Sequence, residues 1–249
     1  MSSPAPMFQT LGSAPFAGLM QVSEFQRQHA SEARDSSTGC TRLSALDPTL
    51  LQDLMRFDRG PTSAEGLDLL EVMAASLRHG RALLLHLHLG YRVFPLAVWP
   101  RERELLAPVA LERLLALKLP DMRVLRVEPA PPELADPKRA EALEPPLRHR
   151  ASLNPLLWEL ALRGTREALL PEIDGAVAYR VAPGTDFGDL ELEGSLADGV
   201  ARLKHRTTLL RDMARWPGFD LGRATRMLNG LYLQAALMIS RAHPGAVGA

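Results

Sequence analysis

The chain has 249 residues, of which 46% are hydrophobic and 5% aromatic, and its 29 basic residues balance its 29 acidic ones. This composition is that of a globular protein, and the zero net charge argues against a protein that coats nucleic acid. Cys40 is the single cysteine, which excludes an intramolecular disulfide and favours a reducing compartment, the cytoplasm. No apolar stretch approaches the length of a membrane span, and the first residues lack a signal-peptide pattern, so we expect no membrane contact.

The first 45 residues carry no sustained pattern of apolar residues. They are rich in Ser, Pro, Ala, Gly and Gln, a composition that buries too little apolar surface to fold by itself. We therefore predict that residues 1–45 form a disordered tail. The alternative is that scattered apolar residues, among them Leu19, Met20, Val22 and Phe25, dock onto a partner.

Residues 46–128 carry the mixed helix and strand signals of a small α+β domain, with a sheet and helices packed on it. A proline at the first helical position predicts a short helix over Thr49–Phe57. Ser63 predicts the cap of a second helix over Ala64–His79, which carries an apolar stripe.

Two consecutive segments, LLLHLHLG and YRVFPLAVW, alternate apolar with polar or small residues, as strands do. They predict a β-hairpin that turns at Gly90-Tyr91. Because Pro95 cannot donate to a β-ladder, it predicts that the second strand lies at an edge or contains a bulge. The other predicted elements of this domain are a strand over Glu102–Ala107, a helix over Pro108–Leu119 and a strand over Met122–Val127.

His86 and His88 lie two residues apart in the first of these strands, and therefore on one face of it. Imidazoles in this arrangement can converge on one metal ion, but a site needs a third and a fourth ligand. The nearest carboxylates are Glu71, Glu102 and Glu104, and no HExxH motif is present. We therefore predict no metal site, and we keep His86 and His88 as the candidate ligands of a third hypothesis, an enzyme that uses this face.

Residues 129–150 combine several prolines with many charged residues, which predicts a semi-rigid, solvated linker. The linker separates the α+β domain from a mostly helical domain over residues 151–249. The elements predicted at the start of that domain are helices over Leu153–Arg163 and Thr165–Ile173, and strands over Ala176–Val181 and Asp186–Leu196.

The last part of the chain contains two apolar-periodic segments separated by a Pro217-Gly218 break. Steps of three and four place one apolar face on the second helix: Leu221, Ala224, Leu228, Leu231, Ala235 and Met238. Gly230, in mid-helix, costs about 1 kcal/mol relative to Ala, which indicates that another group approaches closely there. Residues 207–241 resemble the winged-helix/helix-turn-helix superfamily. The resemblance implies that the second helix contacts DNA or a protein.

From Gly199 to Ala249 the chain has eight basic and two acidic residues, which indicates a contact surface. The candidates for an interaction surface on the second helix are Arg223, Arg226, Asn229, Leu233, Gln234 and Leu237. If the partner is DNA, the candidate phosphate contacts are Arg202, Lys204, Arg206, Arg211 and Arg215. Arg, Asn and Gln can read bases, whereas the outward-facing Leu233 and Leu237 favour a protein contact.

The chain carries no nucleophile, nucleotide-binding or cofactor motif, so we expect neither an enzyme nor a cofactor. The many arginines and few lysines, with abundant Ala and Leu, indicate a GC-rich bacterial genome. The leading hypothesis is a non-enzymatic bacterial regulatory or adaptor protein that acts through protein-protein contacts. The alternative is a DNA-binding transcriptional regulator that uses the helix from Leu221. The protein partner stays unidentified at this point, and a homodimer stays open.

Overall fold

A computed structural model describes residues 19–35, 46, 48–58, 67–141, 146–164, 166–188, 190 and 192–241. Several sequence-based predictions fall on other residues: most of the predicted tail with Cys40, the Ser63 cap, and residues 142–145 of the predicted linker. The described residues form an α+β fold with antiparallel sheets, which confirms the predicted fold class.

The described residues form nine α-helices and nine β-strands. The helices are α1 (Val22–Asp35), α2 (Pro48–Asp58), α3 (Leu69–His79), α4 (Leu111–Leu115), α5 (Pro137–Glu141), α6 (Asn154–Arg163), α7 (Gly194–His205), α8 (Leu210–Met213) and α9 (Leu221–Leu233). The strands are β1 (Leu67–Asp68), β2 (Leu83–Leu89), β3 (Arg92–Trp99), β4 (Glu104–Ala107), β5 (Arg123–Pro129), β6 (His149–Ser152), β7 (Ala178–Val181), β8 (Thr208–Leu209) and β9 (Leu237–Ser240). Short 3₁₀ helices occur at Leu119–Asp121 and Pro132–Ala135. In this part of the chain, no helix is both long and apolar enough to cross a membrane.

The larger sheet has six strands in the order β1-β5-β2-β3-β4-β6, all in antiparallel pairs. β2 and β3 form the predicted hairpin, in which Leu83 pairs with Val98 and Leu89 with Arg92. The turn places Gly90 in the left-handed region, with φ 62°, which glycine adopts without strain. The hairpin prediction is confirmed, because the alternation of apolar residues specified both strands and their register.

β3 is an inner strand of the sheet, because β4 lies on its other side. The prediction that Pro95 places this strand at an edge or in a bulge is therefore wrong for the strand as a whole, since its register with β2 and with β4 is continuous. β4 pairs with β3 only from Ala97 to Trp99, and Pro95 lies before that stretch. The missing N–H of Pro95 therefore interrupts no pairing between β3 and β4.

A large core packs one face of this sheet against α2, α3 and α6. In β2 the buried residues Leu83, Leu85 and Leu87 alternate with half-buried ones, as the sequence pattern predicts. α3 begins later than predicted, at a cap formed by Asp68, whose carboxylate accepts the Leu70 N–H at 2.7 Å. Burial of these alternating leucines is the main source of cohesion between the helices and the sheet.

The segment predicted as a solvated linker covers part of the opposite face of the sheet. Leu134, Ala140 and Leu147 are buried there against Ala97 and Leu106. The structure therefore differs from the prediction of a solvated segment. The physical reason is that apolar residues spaced among prolines and charges find one apolar patch on the sheet, which the average composition of the segment does not reveal.

Residues 19–35 also differ from the predicted disorder. Leu19 and Phe25 are buried, and the Val93 N–H at the margin of β3 donates to Met20 O at 2.9 Å. α1 follows directly after this contact. The scattered apolar residues of this stretch thus dock onto the chain itself, which compensates the entropy lost on ordering it.

Charged side chains join α2 and α3 to the C-terminal half of the chain. Arg78 in α3 forms ion pairs with Asp53 in α2 and with Glu172. Glu71, also in α3, pairs with Arg166. These pairs fix the segment after α6 against the helices of the N-terminal half.

Two carboxylates in these pairs have opposite pKa shifts. Burial acts to raise the pKa of Asp53, but hydrogen bonds to His79 and Arg78 and the charge of Arg78 outweigh it, so this pKa lies below its ordinary value of 3.8. Burial raises the pKa of Glu71 above its ordinary value of 4.5, although Arg166 acts to lower it. As the solution becomes acidic, the contribution of Asp53 to stability therefore decreases, whereas that of Glu71 increases.

The C-terminal half contains a smaller antiparallel sheet, in the order β8-β7-β9, together with α6 to α9. In α9, the residues Ala224, Leu228 and Leu231 are fully buried, which confirms the core of the predicted apolar face. Leu221 at the start of the helix is 58% exposed and departs from that prediction.

α9 ends in a Schellman motif rather than continuing to the end of the apolar pattern. The Ala236 N–H donates to Leu231 O and the Ala235 N–H to Tyr232 O, each at 2.9 Å. Ala235 takes the left-handed conformation, with φ 55°, that glycine usually supplies at this position. The predicted placement of Ala235 and Met238 on the helical face is therefore wrong, and Met238 lies in β9.

The helix predicted over Thr165–Ile173 is also wrong, since no helix occurs among the described residues of that range. Asn229 of α9 replaces the hydrogen bonds that a helix would have made. Its Nδ2 donates to Ala168 O at 3.1 Å, and its Oδ1 accepts the Leu170 N–H at 2.9 Å. A side chain distant in the sequence thus holds this backbone in an irregular conformation.

The strand predicted over Asp186–Leu196 is absent from the described residues of that range, and the end of the range belongs to α7. Leu196, Val200 and Leu203 are spaced by four and three residues, which is a helical pattern. Val200 and Leu203 are buried in the core. The alternating leucines before Leu196 had concealed that pattern.

One cluster of buried apolar residues extends through both predicted domains. Within it, the ring of Trp158 in α6 packs so closely on α9 that a Cβ at Gly230 would lie 2.7 Å from it. This contact confirms the close approach predicted from the glycine. The division of the chain into domains over residues 46–128 and 151–249 stays a prediction.

Candidate functional site

The turn between α8 and α9 carries two aromatic side chains, Trp216 and Phe219, which we call the aromatic pair. Their rings meet edge to face with centroids 5.7 Å apart. Gly218 between them has φ 75°, and a Cβ there would lie 2.8 Å from the Cβ of Ser195. The Pro-Gly break in the sequence therefore produces a turn that requires glycine, held tightly against α7.

α7 accommodates the aromatic pair through a second glycine. A Cβ at Gly199 would lie 2.7 Å from the ring of Phe219 and 3.0 Å from the Sδ of Met227. Gly199 is buried, so a side chain there would have to displace these two neighbours. The close approach of α7, the turn and α9 therefore depends on the absence of a side chain at Gly199 and at Gly218.

Each ring of the aromatic pair carries an arginine. The guanidinium of Arg202 lies 5.5 Å from the centroid of Trp216, and that of Arg223 lies 5.8 Å from the centroid of Phe219. Such cation-π contacts restrict the guanidinium without using its hydrogen-bond donors. The pair therefore presents two partly oriented cations, one from α7 and one from α9.

A groove of 620 Å³ lies on the Trp216 side of the aromatic pair, and we call it the basic groove. It is lined by Ala201, Arg202, His205, Arg206, Thr207, Thr208, Leu209, Asp212 and Trp216. Two of the predicted phosphate contacts, Arg202 and Arg206, thus meet in one groove, with exposed side chains. His205, which is not among the predicted contacts, also lines it.

The other three predicted phosphate contacts do not line this groove. Lys204 lies over the ring of Phe187, with Nζ 5.3 Å from the centroid. Arg211 and Arg215 are exposed nearby, in α8 and just after it. All five predicted cations therefore lie on α7, at its C-terminal cap, on α8 or in the turn that follows α8.

A second cavity, of 510 Å³, lies on the Phe219 side, and we call it the arginine cavity. It is lined by Leu162, Arg163, Leu196, Gly218, Phe219, Asp220, Arg223 and Arg226. Asp220 caps α9, accepting the Arg223 N–H at 2.6 Å. Two residues of the predicted interaction surface, Arg223 and Arg226, thus lie beside a cavity at the start of α9.

The rest of the predicted interaction surface is not brought to this site. Asn229 and Leu233 are buried, at 0% and 2% exposure. The Nε2 of Gln234 donates to Asn154 O at 3.0 Å. Leu237 lies in β9, half-buried. The exposed part of the predicted surface is therefore confined to the first turns of α9.

The end of α9 is fixed by Arg103, a residue that sequence reasoning missed. Its guanidinium donates to Leu233 O at 2.6 Å and lies 3.4 Å from Asn154 Oδ1. Burial lowers the pKa of Arg103. The cation faces the negative end of the helix dipole, which stabilises the charge. The left-handed backbone of Arg103, at φ 57°, carries no sequence signal that would have predicted this contact.

His86 and His88 point to the same side of β2, as the alternation predicted. His86 Nδ1 lies 3.7 Å from Glu128 Oε2, and its ring is 4.9 Å from that of Phe25. Among the described residues, no cluster of three or more His, Cys, Asp or Glu side chains is arranged to hold a metal ion. The ring contact assigns His86 a packing role on the outer face of the sheet.

Comparison of the chain with protein-family models, with curated proteins and with solved structures found no match.

Proposed function

We propose that this protein is a non-enzymatic bacterial regulatory or adaptor protein that binds an acidic segment of a protein partner in the basic groove. The observation that carries the proposal is the meeting of Arg202, His205 and Arg206 beside Trp216 in a groove of 620 Å³. Among the described residues that line it, the single carboxylate is Asp212. The low number of acidic side chains leaves the guanidiniums available to a partner of opposite charge.

The chemistry of the groove favours a peptide that combines acidic and apolar residues. Arginine forms paired hydrogen bonds with carboxylates, and exposed cations accelerate the encounter with an acidic segment. Trp216 supplies an apolar surface of the kind that dominates binding energy in protein interfaces. The volume lies within the range of about 300–1,000 Å³ typical of small binding pockets. The single cysteine supports a cytoplasmic location for this interaction.

DNA binding is the second candidate function. The exposed cations Arg202, Lys204, Arg206, Arg211 and Arg215 favour it, because they suit phosphate contacts. The succession of α7, β8, α8, α9 and β9 supports the likeness to winged-helix domains. The burial of Asn229 and the cover of the second half of α9 weigh against base reading by that helix. We therefore rank protein binding first.

Selection from a random peptide library against the full-length protein tests the proposal. The peptides selected should contain several Asp or Glu residues and at least one apolar residue. Arg202→Gln with Arg206→Gln should weaken their binding at least tenfold, whereas Arg113→Gln, an exposed arginine on α4, should change it less than twofold. Binding should alter tryptophan fluorescence in the wild-type protein, and Trp216→Phe should remove most of that change.

A parallel selection with random duplex DNA at physiological salt separates the two candidates. Enrichment of a defined DNA motif with submicromolar affinity would overturn the protein-binding proposal in favour of a transcriptional regulator. Weak duplex binding without sequence preference, together with an acidic peptide motif, would support the protein-binding proposal. Peptides without acidic residues, or binding insensitive to Arg202 and Arg206, would overturn the role of the basic groove.

A further inference from the structure

We propose that the arginine cavity is a second binding site, for a small phosphate monoester that carries an apolar or aromatic group. The cavity has a volume of 510 Å³ and lies between the end of α6, the start of α7 and the first turns of α9. It is separated from the basic groove by the aromatic pair. The inference goes beyond the proposed function, because it concerns another cavity and another class of ligand.

The charges around this cavity are unbalanced. Among the described residues, three arginines line it with one carboxylate, Asp220, whose Oδ1 accepts the Arg223 N–H. Within the described residues, neither Arg223 nor Arg226 forms an ion pair or a side-chain hydrogen bond. Arg223 contacts only the ring of Phe219, so the hydrogen-bond donors of both guanidiniums are available to a doubly charged ligand.

Arg226 gives a more specific indication. Its Nε is buried and has no hydrogen-bond partner in the structure. Buried polar atoms are nearly always paired, and an unpaired one needs an explanation such as an unoccupied ligand site. That Nε is closed to solvent, so an oxyanion held in the cavity would instead bind the terminal Nη groups of Arg226, for which the described residues supply no acceptor.

Arg163 adds a fixed positive charge at the margin of the cavity. Its guanidinium donates to Leu115 O at 2.7 Å, to Leu117 O at 3.0 Å and to Glu159 at 3.3 Å. These bonds hold the cation in place but occupy most of its donors. Because Glu159 compensates its charge, Arg163 is assigned no contact with the ligand, and direct contacts are assigned to Arg223 and Arg226.

The chemistry of the lining distinguishes a phosphate ester from a carboxylate. A carboxylate is matched by one guanidinium, whereas a phosphate has three terminal oxygens for donors from two or more arginines. Leu162, Leu196 and Phe219 form the apolar part of the lining. That part accommodates an apolar or aromatic group on the ester, which inorganic phosphate lacks.

Isothermal titration calorimetry of the full-length protein tests this inference with three probes: phenyl phosphate, inorganic phosphate and phenylacetate. Phenyl phosphate should bind at one site and at least tenfold more tightly than the other two. Arg223→Gln with Arg226→Gln should reduce its affinity at least tenfold, and Arg223→Lys severalfold, because lysine keeps the charge but loses the paired donors. Arg215→Gln, at an exposed position outside the cavity, should change the affinity less than twofold.

The same titration distinguishes this site from the basic groove. The variant Arg202→Gln with Arg206→Gln should still bind phenyl phosphate, and an acidic peptide should not compete with it. Absence of saturable phenyl phosphate binding would overturn the inference. The inference would also be overturned by equal affinity for phenylacetate. Full affinity for phenyl phosphate in both Arg223→Lys and the variant Arg223→Gln with Arg226→Gln would overturn it too.

Discussion

The two ends of α9 lie in different surroundings. At its start, Leu221 and Arg223 are exposed and the helix borders the arginine cavity. Toward its end, Asn229 is buried against the segment after α6, and Gly230 lies against the ring of Trp158. The last carbonyl, that of Leu233, accepts a hydrogen bond from Arg103. One helix thus combines a first half that is buried on its inner side and accessible on its outer side with a second half that is covered almost all round.

This difference shows why a helix should be divided along its length before a function is assigned to it. Helical periodicity separates the sides of a helix, but it does not indicate which turns a neighbouring helix covers. α6 covers the second half of α9 and leaves the first half beside the aromatic pair. Ligand binding is therefore expected at the start of α9, and effects on stability at its end.

The largest effect is expected from Asn229→Ala. This change leaves the buried Leu170 N–H without its acceptor, while Ala168 O keeps a hydrogen bond from Arg166. We expect the free energy of unfolding, measured by urea denaturation, to fall by about 2–3 kcal/mol.

Arg223→Ala in the exposed half is the matched control for this change, and it should alter stability by no more than about 0.5 kcal/mol. Equal effects of the two substitutions would show that the halves of α9 do not differ as described.

A pair of glycine substitutions in α9 should have effects of opposite sign. Gly230→Ala would place a Cβ 2.7 Å from the ring of Trp158, so we expect a net destabilisation of about 1–2 kcal/mol despite the better helix propensity of alanine. Gly222→Ala meets its nearest neighbour, Asp220 Oδ1, at an ordinary 3.5 Å, and should stabilise the protein by about 0.5 kcal/mol. Thermal unfolding of both variants measures the contrast. A stabilising Gly230→Ala would contradict the close contact between α6 and α9.

A stabilising change is expected at the C-terminal end of α9. Ala235→Gly removes the strain of an alanine at φ 55°, which outweighs the greater freedom of glycine in the unfolded chain. We expect a gain of about 0.5–1 kcal/mol in the free energy of unfolding. Ala201→Gly, at an exposed position in α7, is the control, because the same substitution in a regular helix should destabilise by a similar amount.

The smallest effect concerns the ion pairs that fix the segment after α6, on which the second half of α9 rests. The folded-state pKa of Asp53 lies below its ordinary value of 3.8, so its contribution to stability is present above that value. It is lost as the pH falls through the lowered folded-state pKa. Asp53→Asn should therefore reduce the loss of stability that accompanies a fall in pH below 3.8, measured by urea denaturation at each pH.

Glu71 provides the internal comparison for that measurement. Its folded-state pKa is raised, so its contribution to stability is fully present below its ordinary value of 4.5 and is lost as the pH rises through the raised value. Glu71→Gln should therefore diminish the loss of stability that accompanies a rise in pH through the raised pKa. The same pH dependence in Asp53→Asn and in the wild-type protein would contradict the assigned role of Asp53.

The sequence predicted well those elements whose apolar pattern was regular. The alternation in β2 and β3 predicted their pairing, and the spacing of Ala224, Leu228 and Leu231 predicted the buried face of α9. Gly230 correctly indicated a close contact with α9, which the ring of Trp158 makes. In each case the local pattern and the final packing agree.

Predictions failed where distant contacts decided the conformation. The segment 166–173 is irregular because Asn229 binds its backbone, and the Pro-rich segment packs because the sheet offers Ala97 and Leu106. The candidate site was found only in part: Arg202, Arg206, Arg223 and Arg226 were selected by their charge. Charge alone did not show that the aromatic pair divides them between two cavities.

By itself, the sequence determined the α+β class, the hairpin, the helix α9 and the concentration of positive charge near the end of the chain. These features follow from the period of apolar residues and from composition, which act locally. The tertiary structure alone decided which half of α9 is exposed, that Asn229 is a buried anchor and that Arg103 stabilises the end of the helix. These contacts join residues separated by 59 and 130 positions, and their free energy arises only when the chain brings buried partners together.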